Sequence, residues 1–312
     1  MAVKSLPILS LKDDAQPFAD AIGASFRDFG FAIVCDHGID EALIGEGWRL
    51  AKAFFALPEA EKRSYFINGL AGARGYTPFR TEIAKGASVH DLKEFWHVGR
   101  SLPDGSPLAA SMPANVWPQQ PAGFAETFTA LFDAFDRTGA TILARVAMHL
   151  GLADNWFDAV IEDGNSVMRL LHYPPQTGPD AAGAIRAAAH EDINLITLLL
   201  GAEEAGLELL DKSGEWFGFS PPPGAMVINI GDMLQRLTNN ELPSTTHRVR
   251  NPDQSRTGYS RYSMPFFLNP RSDFLIQSLP QCVSAENPAR SPVQITANEY
   301  LEERLREIGL RT

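Results

Sequence analysis

Residues 188–200, Ala-Ala-His-Glu-Asp-Ile-Asn-Leu-Ile-Thr-Leu-Leu-Leu, place His190 two positions before Asp192 in a run of strand-forming residues. In a strand, residues i and i+2 project to one face, so this spacing sets an imidazole beside a carboxylate and turns Glu191 the other way. A second imidazole comes from His247, in the strand-like segment Ser-Thr-Thr-His-Arg-Val (244–249). Two neutral imidazoles and one ionised carboxylate on one face of a ferrous ion leave the opposite face open to O2 and other ligands. Taken alone, the His-x-Asp pair also fits a surface histidine beside a solvated aspartate, and His247 a structural histidine. The run Ile193–Leu200 is too apolar for a surface strand, which puts the pair at the mouth of a buried one.

A second constellation is Arg261-Tyr262-Ser263, just before the apolar run Met264-Pro265-Phe266-Phe267. The same period of two aligns Arg261 with Ser263. An arginine on a buried strand needs an anionic partner, because an unpaired buried charge is costly. Its planar fork matches a carboxylate, and a neighbouring hydroxyl adds a further hydrogen bond. That partner is either an Asp or Glu of the chain or the carboxylate of a bound organic acid. Tyr173, in Leu170-Leu171-His172-Tyr173-Pro174, either donates its phenol to the same acid or packs as a core aromatic.

The elements that must hold these groups divide the chain into a helical front and a β-rich back. Phe18, Ile22, Phe26 and Phe29 recur at helical spacing and predict a helix over 14–29 that Gly30 ends. Leu6–Leu11 and Phe31–Cys35 read as short strands, 39–57 and 59–64 as helices, and 122–151 as a long helix followed by a shorter one at 153–161. From Asn68 to about Gln120 the chain reads as loop-rich, with many Gly and Pro residues. Strands are predicted at 166–173, 193–200, 206–210, 215–219, 225–229, 245–249 and 259–267, separated by Gly/Pro turns, and a final helix at 296–308. Many short strands with such turns imply a sandwich or barrel. No repeat or flexible linker divides the 312 residues, so 1–312 is expected to form one unit.

Composition narrows the functional classes. Hydrophobic residues at 45% and charged residues at 21% are ordinary for a globular protein. A formal net charge of −11 disfavours nucleic acid or an anionic membrane as partner, while leaving room for a local basic pocket. No apolar run reaches the length of a membrane span, and the N-terminus lacks a signal-peptide core. Cys35 and Cys282, far apart in sequence, suit a reducing compartment rather than a disulfide scaffold. A cytoplasmic protein with a small-molecule substrate is expected.

Together these residues resemble the isopenicillin N synthase-like family of Fe(II)/2-oxoglutarate-dependent oxygenases. The likeness spans nearly the whole chain: Leu6-Pro7-Ile8, Phe29-Gly30-Phe31, Asp36-His37-Gly38-Ile39, Gly75-Tyr76-Thr77-Pro78, Asp91-Leu92-Lys93-Glu94-Phe95, Tyr173-Pro174, His190-Glu191-Asp192, Pro223-Gly224, Asn229-Ile230-Gly231-Asp232, Thr246-His247-Arg248-Val249 and Arg261-Tyr262-Ser263. The resemblance implies a mixed α and β fold: a double-stranded β-helix (jelly roll) core with flanking N-terminal and central helices. It implies an N-terminal region at 5–118, the oxygenase β core at 164–271 and a C-terminal extension with a helix at 272–312. It carries iron ligation to His190, Asp192 and His247, and binding of the distal 2-oxoglutarate carboxylate to Arg261 and Ser263, with Tyr173 assisting.

The resemblance has local departures. Many plant members carry Asn two positions before that tyrosine, where this chain has Leu171. The gap from His247 to Arg261 suggests a small insertion at 251–257, and within it Arg256 is a competing carboxylate binder that lacks a serine two residues on. The expected activity is oxidation of a small organic substrate by O2, as hydroxylation, desaturation or cyclisation, coupled to decarboxylation of 2-oxoglutarate to succinate and CO2. The retained carboxylate at Asp192 argues against halogenation. The alternatives are an Fe(II) oxidase of the isopenicillin N synthase type, whose Arg-x-Ser pair grips a substrate carboxylate, and a non-enzymatic β-barrel that binds a small acid. The substrate is expected under the 70–98 region, with Arg74, Tyr76, Arg80, Lys85, Lys93 and His97 as polar candidates to line it.

Overall fold

The computed structural model describes residues 5–68, 72–81, 90–175, 186–200, 206–252, 257–291 and 293–307. Its helices are α1 (Ala15–Phe29), α2 (Glu41–Phe55), α3 (Glu59–Arg63), α4 (Phe124–His149), α5 (Asp158–Ile161), α6 (Asp232–Leu237) and α7 (Ala297–Glu307). The strands of the first half are β1 (Ile8–Ser10), β2 (Phe31–Cys35), β3 (Gly75–Thr77), β4 (Glu94–Gly99) and β5 (Val167–Tyr173). Then come β6 (Ala187–His190), β7 (Ile196–Leu200), β8 (Leu207–Leu210), β9 (Trp216–Gly218), β10 (Met226–Ile230), β11 (His247–Val249), β12 (Arg261–Leu268), β13 (Leu275–Ile276) and β14 (Ile295–Thr296).

Among the described residues, eight strands form a major sheet in the order β1-β2-β10-β7-β12-β5-β4-β3, and four form a minor sheet, β6-β11-β8-β9. This is the expected jelly-roll core with helices on one side. Period-two alternation sorts the side chains of the major sheet. Met168 and Leu170 of β5, with Met264, Phe266 and Leu268 of β12, face the helices and join a cluster with Phe18, Ile22 and Phe26 of α1 and Phe128, Leu131 and Phe135 of α4. The opposite face, carrying Leu171, Tyr173, Arg261 and Ser263, looks toward the minor sheet. At the β2–β10 end, Phe31, Ile33 and Val227 of the major sheet pack on Leu209 and Phe217 of the minor one. Apolar side chains fill the space between the sheets there, and polar side chains occupy it farther along.

One expectation is refined and one corrected. The stretch 68–120 is not loop throughout: Gly75–Thr77 and Glu94–Gly99 are strands, and Glu94–Gly99 pairs along its length with Val167–Tyr173. The predicted strand 193–200 begins only at Ile196. Before it the chain leaves the minor sheet at His190 and crosses to the major sheet through a turn, whose carbonyls are taken by the entry to α6: Asp232 N–H donates to Asp192 O, Met233 N–H to Asn194 O and Gly231 N–H to Leu195 O, all at 2.9–3.1 Å.

Gly30 ends α1 as the sequence predicts, at φ 68°, its N–H donating to Phe26 O at 2.8 Å. It has a second duty. A Cβ there would lie 2.3 Å from Thr245 Oγ1 and 2.6 Å from the carbonyl oxygen of Pro243, in the segment leading to His247. Gly30→Ala therefore combines a left-handed backbone with a collision, and we expect it to lower unfolding free energy by more than ~1 kcal/mol in urea denaturation followed by circular dichroism.

Candidate active site

His190 is the last residue of β6, His247 the first of β11, and the two are paired across the minor sheet. Asp192 lies in the crossing turn, so the shared-strand argument does not account for its position; the turn swings it beside His190 instead. His190 Nε2 is 3.8 Å from Asp192 Oδ1, and His247 Nε2 is 3.9 Å from Asp192 Oδ2. The two imidazole centroids are 4.4 Å apart. One ligand atom from each of the three residues falls within 4.8 Å of the others.

The hydrogen bonds around this group prepare it for a cation. His190 Nδ1 donates to Ala188 O at 2.7 Å and His247 Nδ1 to Thr245 O at 3.1 Å. A carbonyl only accepts, so both Nδ1 atoms carry the proton and both Nε2 lone pairs are left for a ligand. Asp192 Oδ2 accepts from Thr197 Oγ1 at 2.6 Å and from Asn229 Nδ2 at 2.8 Å. Asn194 Nδ2 donates to Thr197 Oγ1 at 2.8 Å, which commits the hydroxyl proton of Thr197 to the carboxylate. Among the described residues, Asp192 Oδ1 accepts no hydrogen bond. Burial pushes the Asp192 carboxyl up, but His247, His190, Thr197 and Asn229 outweigh it and hold the pKa below its ordinary value. The protein packed about His190, and then His247, push that imidazole down to about 4, so it is neutral at physiological pH although one edge remains accessible. The Nε2 atoms of two imidazoles and an ionised carboxylate form a donor set that fits a divalent transition-metal ion.

Along the inner face of the major sheet lies the second constellation. Arg261 opens β12, pairs with Tyr173 of β5 and is buried. Its Nη1 donates to Ser263 Oγ at 3.3 Å, and its guanidinium lies 5.1 Å from the centre of the Tyr173 ring. Leu171 sits opposite Ser263 and packs with Phe95 and Tyr173, so an apolar wall stands at the position many plant relatives give to Asn.

The substrate candidates separate. His97 lies on the inner face opposite Arg169; its Nδ1 donates to Gly72 O and its Nε2 accepts from Arg169 Nε. Tyr76 turns away into the helical layer, where its hydroxyl bonds Glu94. Arg74 is buried against Gly99 and donates to the carbonyls of Ala73 and Pro113, which makes it part of the wall. Lys93 pairs with Asp91 at 2.8 Å, and Asp91 accepts from the backbone of Ala188, two residues before His190. Arg80 packs over the ring of Phe79. Lys85 and Arg256 lie outside the described residues.

Comparison with known proteins gives this arrangement a family. The N-terminal signature of non-haem dioxygenases, described from morphine synthesis, matches residues 6–120, and that of the 2OG-Fe(II) oxygenase superfamily matches 164–270. The 2-oxoglutarate-Fe(II) type oxidoreductase hxnY of Emericella nidulans is 34% identical over 276 residues, covering 85% of this chain and 78% of the relative. The chain belongs to the 2-oxoglutarate–Fe(II) oxygenase superfamily. A crystal structure of a Caulobacter crescentus protein assigned to the same family superposes with a TM-score of 0.91 at 50% identity, covering 98% of this chain and 100% of that one. A full-length Neurospora crassa protein crystallised in complex with alpha-KG superposes with a TM-score of 0.85 at 27% identity, over 96% and 95% of the two chains. The protein is a 2-oxoglutarate-dependent Fe(II) dioxygenase: it uses Fe(II), 2-oxoglutarate and O2 to oxidise a small-molecule substrate.

Sequence reasoning missed the oxygenase's support for Asp192. Thr197 and Asn229 interrupt the apolar runs Ile196–Leu200 and Met226–Ile230, and each is a polar residue in a buried strand. Such an interruption is a readable signal, since a buried polar side chain needs a partner. Thr197→Val keeps the volume and removes the donor to Asp192. We expect it to weaken Fe(II) binding about 10–100-fold in an anaerobic titration, with the far-ultraviolet dichroism spectrum unchanged.

Proposed function

We propose that His190, Asp192 and His247 are the iron ligands of this dioxygenase, and that Arg261, Ser263 and Tyr173 receive the distal carboxylate of 2-oxoglutarate. The observation that carries the ligand assignment is the commitment of both Nδ1 protons to backbone carbonyls while Asp192 Oδ1 stays without a donor among the described residues. The Arg261 fork and the Ser263 hydroxyl sit together on one buried face, donors of the kind and spacing that a carboxylate accepts.

Bound iron supplies the centre at which O2 is used and 2-oxoglutarate is decarboxylated to succinate and CO2. The chain's own part is positional. Thr197 and Asn229 fix the carboxylate, the backbone of residues 188 and 245 fixes the imidazoles, and Arg261 fixes the far end of the co-substrate. Phe95, Leu171 and the Arg169–His97 pair line the inner face beside which the organic substrate would be hydroxylated, desaturated or cyclised. We place the enzyme in the cytoplasm, without nucleic-acid or membrane partners. Both cysteines are free thiols, and among the described residues no helix is long and apolar enough to cross a membrane. Residues 5–118, 164–271 and 272–312 act as one unit in this reading.

The assay is succinate release from 2-oxoglutarate with Fe(II) and O2. The wild type should release succinate, whereas His190→Ala and Asp192→Ala, folded by circular dichroism, should stay at the metal-free background. Equal release by all three proteins would overturn the ligand assignment.

A further inference from the structure

Arg186 immediately precedes β6 and is 1% exposed, among the most deeply buried large side chains of the protein. Its backbone N–H donates to Asn251 Oδ1 at 3.0 Å, and its Nη2 donates to Tyr259 O at 3.3 Å. Among the described residues, the buried Nε and Nη1 find no acceptor, and no carboxylate pairs with this guanidinium. Tyr259 leads into β12 two residues before Arg261, so holding its carbonyl brings Arg186 to the same end of the inner face as Arg261 and Tyr173.

The neighbourhood is electrostatically one-sided. Burial first, and then the positive charge of Arg261, push the Arg186 guanidinium down to about 10, while Tyr173 acts in the opposite sense. Two buried arginines close enough to repel, one of them with two idle donors, make an arrangement that an anion would complete. A carboxylate offers two oxygens and about four acceptor sites. Arg261, Ser263 and Tyr173 leave capacity for a further donor, and no other described arginine combines such burial with proximity to that group.

We propose that Arg186 is a second cationic arm of the co-substrate site, reaching the distal carboxylate of 2-oxoglutarate alongside Arg261. The inference rests on the reading that Arg261 and Ser263 receive that carboxylate. It makes the site favour a 2-oxo acid with a second carboxylate, because a chain ending in methyl would leave the buried Nε and Nη1 of Arg186 without an acceptor.

The test is binding of 2-oxoglutarate and of pyruvate, which lacks the distal carboxylate, to the Fe(II)-loaded protein without oxygen, alongside melting of each protein with and without 2-oxoglutarate. Arg186→Gln should weaken 2-oxoglutarate about tenfold or more and leave pyruvate unchanged, with Arg186→Lys intermediate. Without ligand, Arg186→Gln should melt close to wild type, since among the described residues the charge removed has no carboxylate partner and its one side-chain hydrogen bond, to Tyr259 O, is long at 3.3 Å, and the thermal shift on adding 2-oxoglutarate should shrink. If Arg186→Gln and Arg186→Lys both bind 2-oxoglutarate like wild type while Arg261→Gln does not, the second arm is overturned and the Arg261 reading stands. If Arg261→Gln binds 2-oxoglutarate like wild type, the underlying reading itself fails. Equal weakening of pyruvate and 2-oxoglutarate with a lowered melting point in Arg186→Gln would assign Arg186 to structure and overturn the proposal.

Discussion

The carboxylate of Asp192 is anchored to one sheet and the two imidazoles to the other. Thr197 and Asn229, which hold Asp192 Oδ2, are register partners on β7 and β10 of the major sheet. His190 and His247 are register partners on β6 and β11 of the minor sheet. The spacing of the three proposed ligand atoms therefore follows the spacing of the sheets. Sliding one sheet by a fraction of a side chain would separate the carboxylate from the imidazoles, and a metal held by all three, as proposed, would resist such sliding. The rest of the structure is accountable to this constraint.

Much of the N-terminal half answers it. Phe31 of β2 stands edge-on to His247 with centroids 5.4 Å apart, and Gly30 beside it admits Thr245, whose carbonyl orients the same imidazole. On the helical side, Glu94 is buried and accepts from Lys62 at 2.7 Å and from the Tyr76 hydroxyl, and bonds His172 Nδ1 at 2.7 Å. Burial alone would raise the Glu94 pKa; those three partners more than offset it, which keeps the carboxylate ionised. His172 Nε2 then reaches Ser260 Oγ at 2.9 Å. Ser260 precedes Arg261 and His172 precedes Tyr173, so this outer network clamps the backbone that presents the two inner-face residues.

The sequence displays this architecture unevenly. Helices α1, α2 and α4 are plain from their apolar spacing, and the pairing of Arg261 with Ser263 follows from period two, because those elements obey local rules. Period two also sets His190 beside Asp192, but the fold brings them together by a different route. The apolar run after Asp192 looks like uninterrupted strand, yet the carbonyls of Asp192, Asn194 and Leu195 turn to meet the entry to α6, some forty residues later, a contact no local pattern encodes. β6 is similarly hidden: alanines have little preference for strand, and Ala187–His190 is extended because β11 lies beside it. Glu94–Gly99 hides in a Gly- and Pro-rich context for the same reason, since its partner is Val167–Tyr173.

Charge is where the whole-chain and local readings diverge most. A net charge of −11 describes a surface that repels anions at long range. The inner face reverses that sign. Arg261 and Ser263 end the row, and Arg169, braced by His97 and stacked 4.3 Å from the Phe95 ring, stands in register between them and the Thr197 level of the sheet. Screening in water shortens the reach of the surface charges to about 10 Å at 0.1 M salt, while buried charges are screened much less. In the proposed site a small acid therefore meets the arginines of the inner face rather than the average charge of the chain.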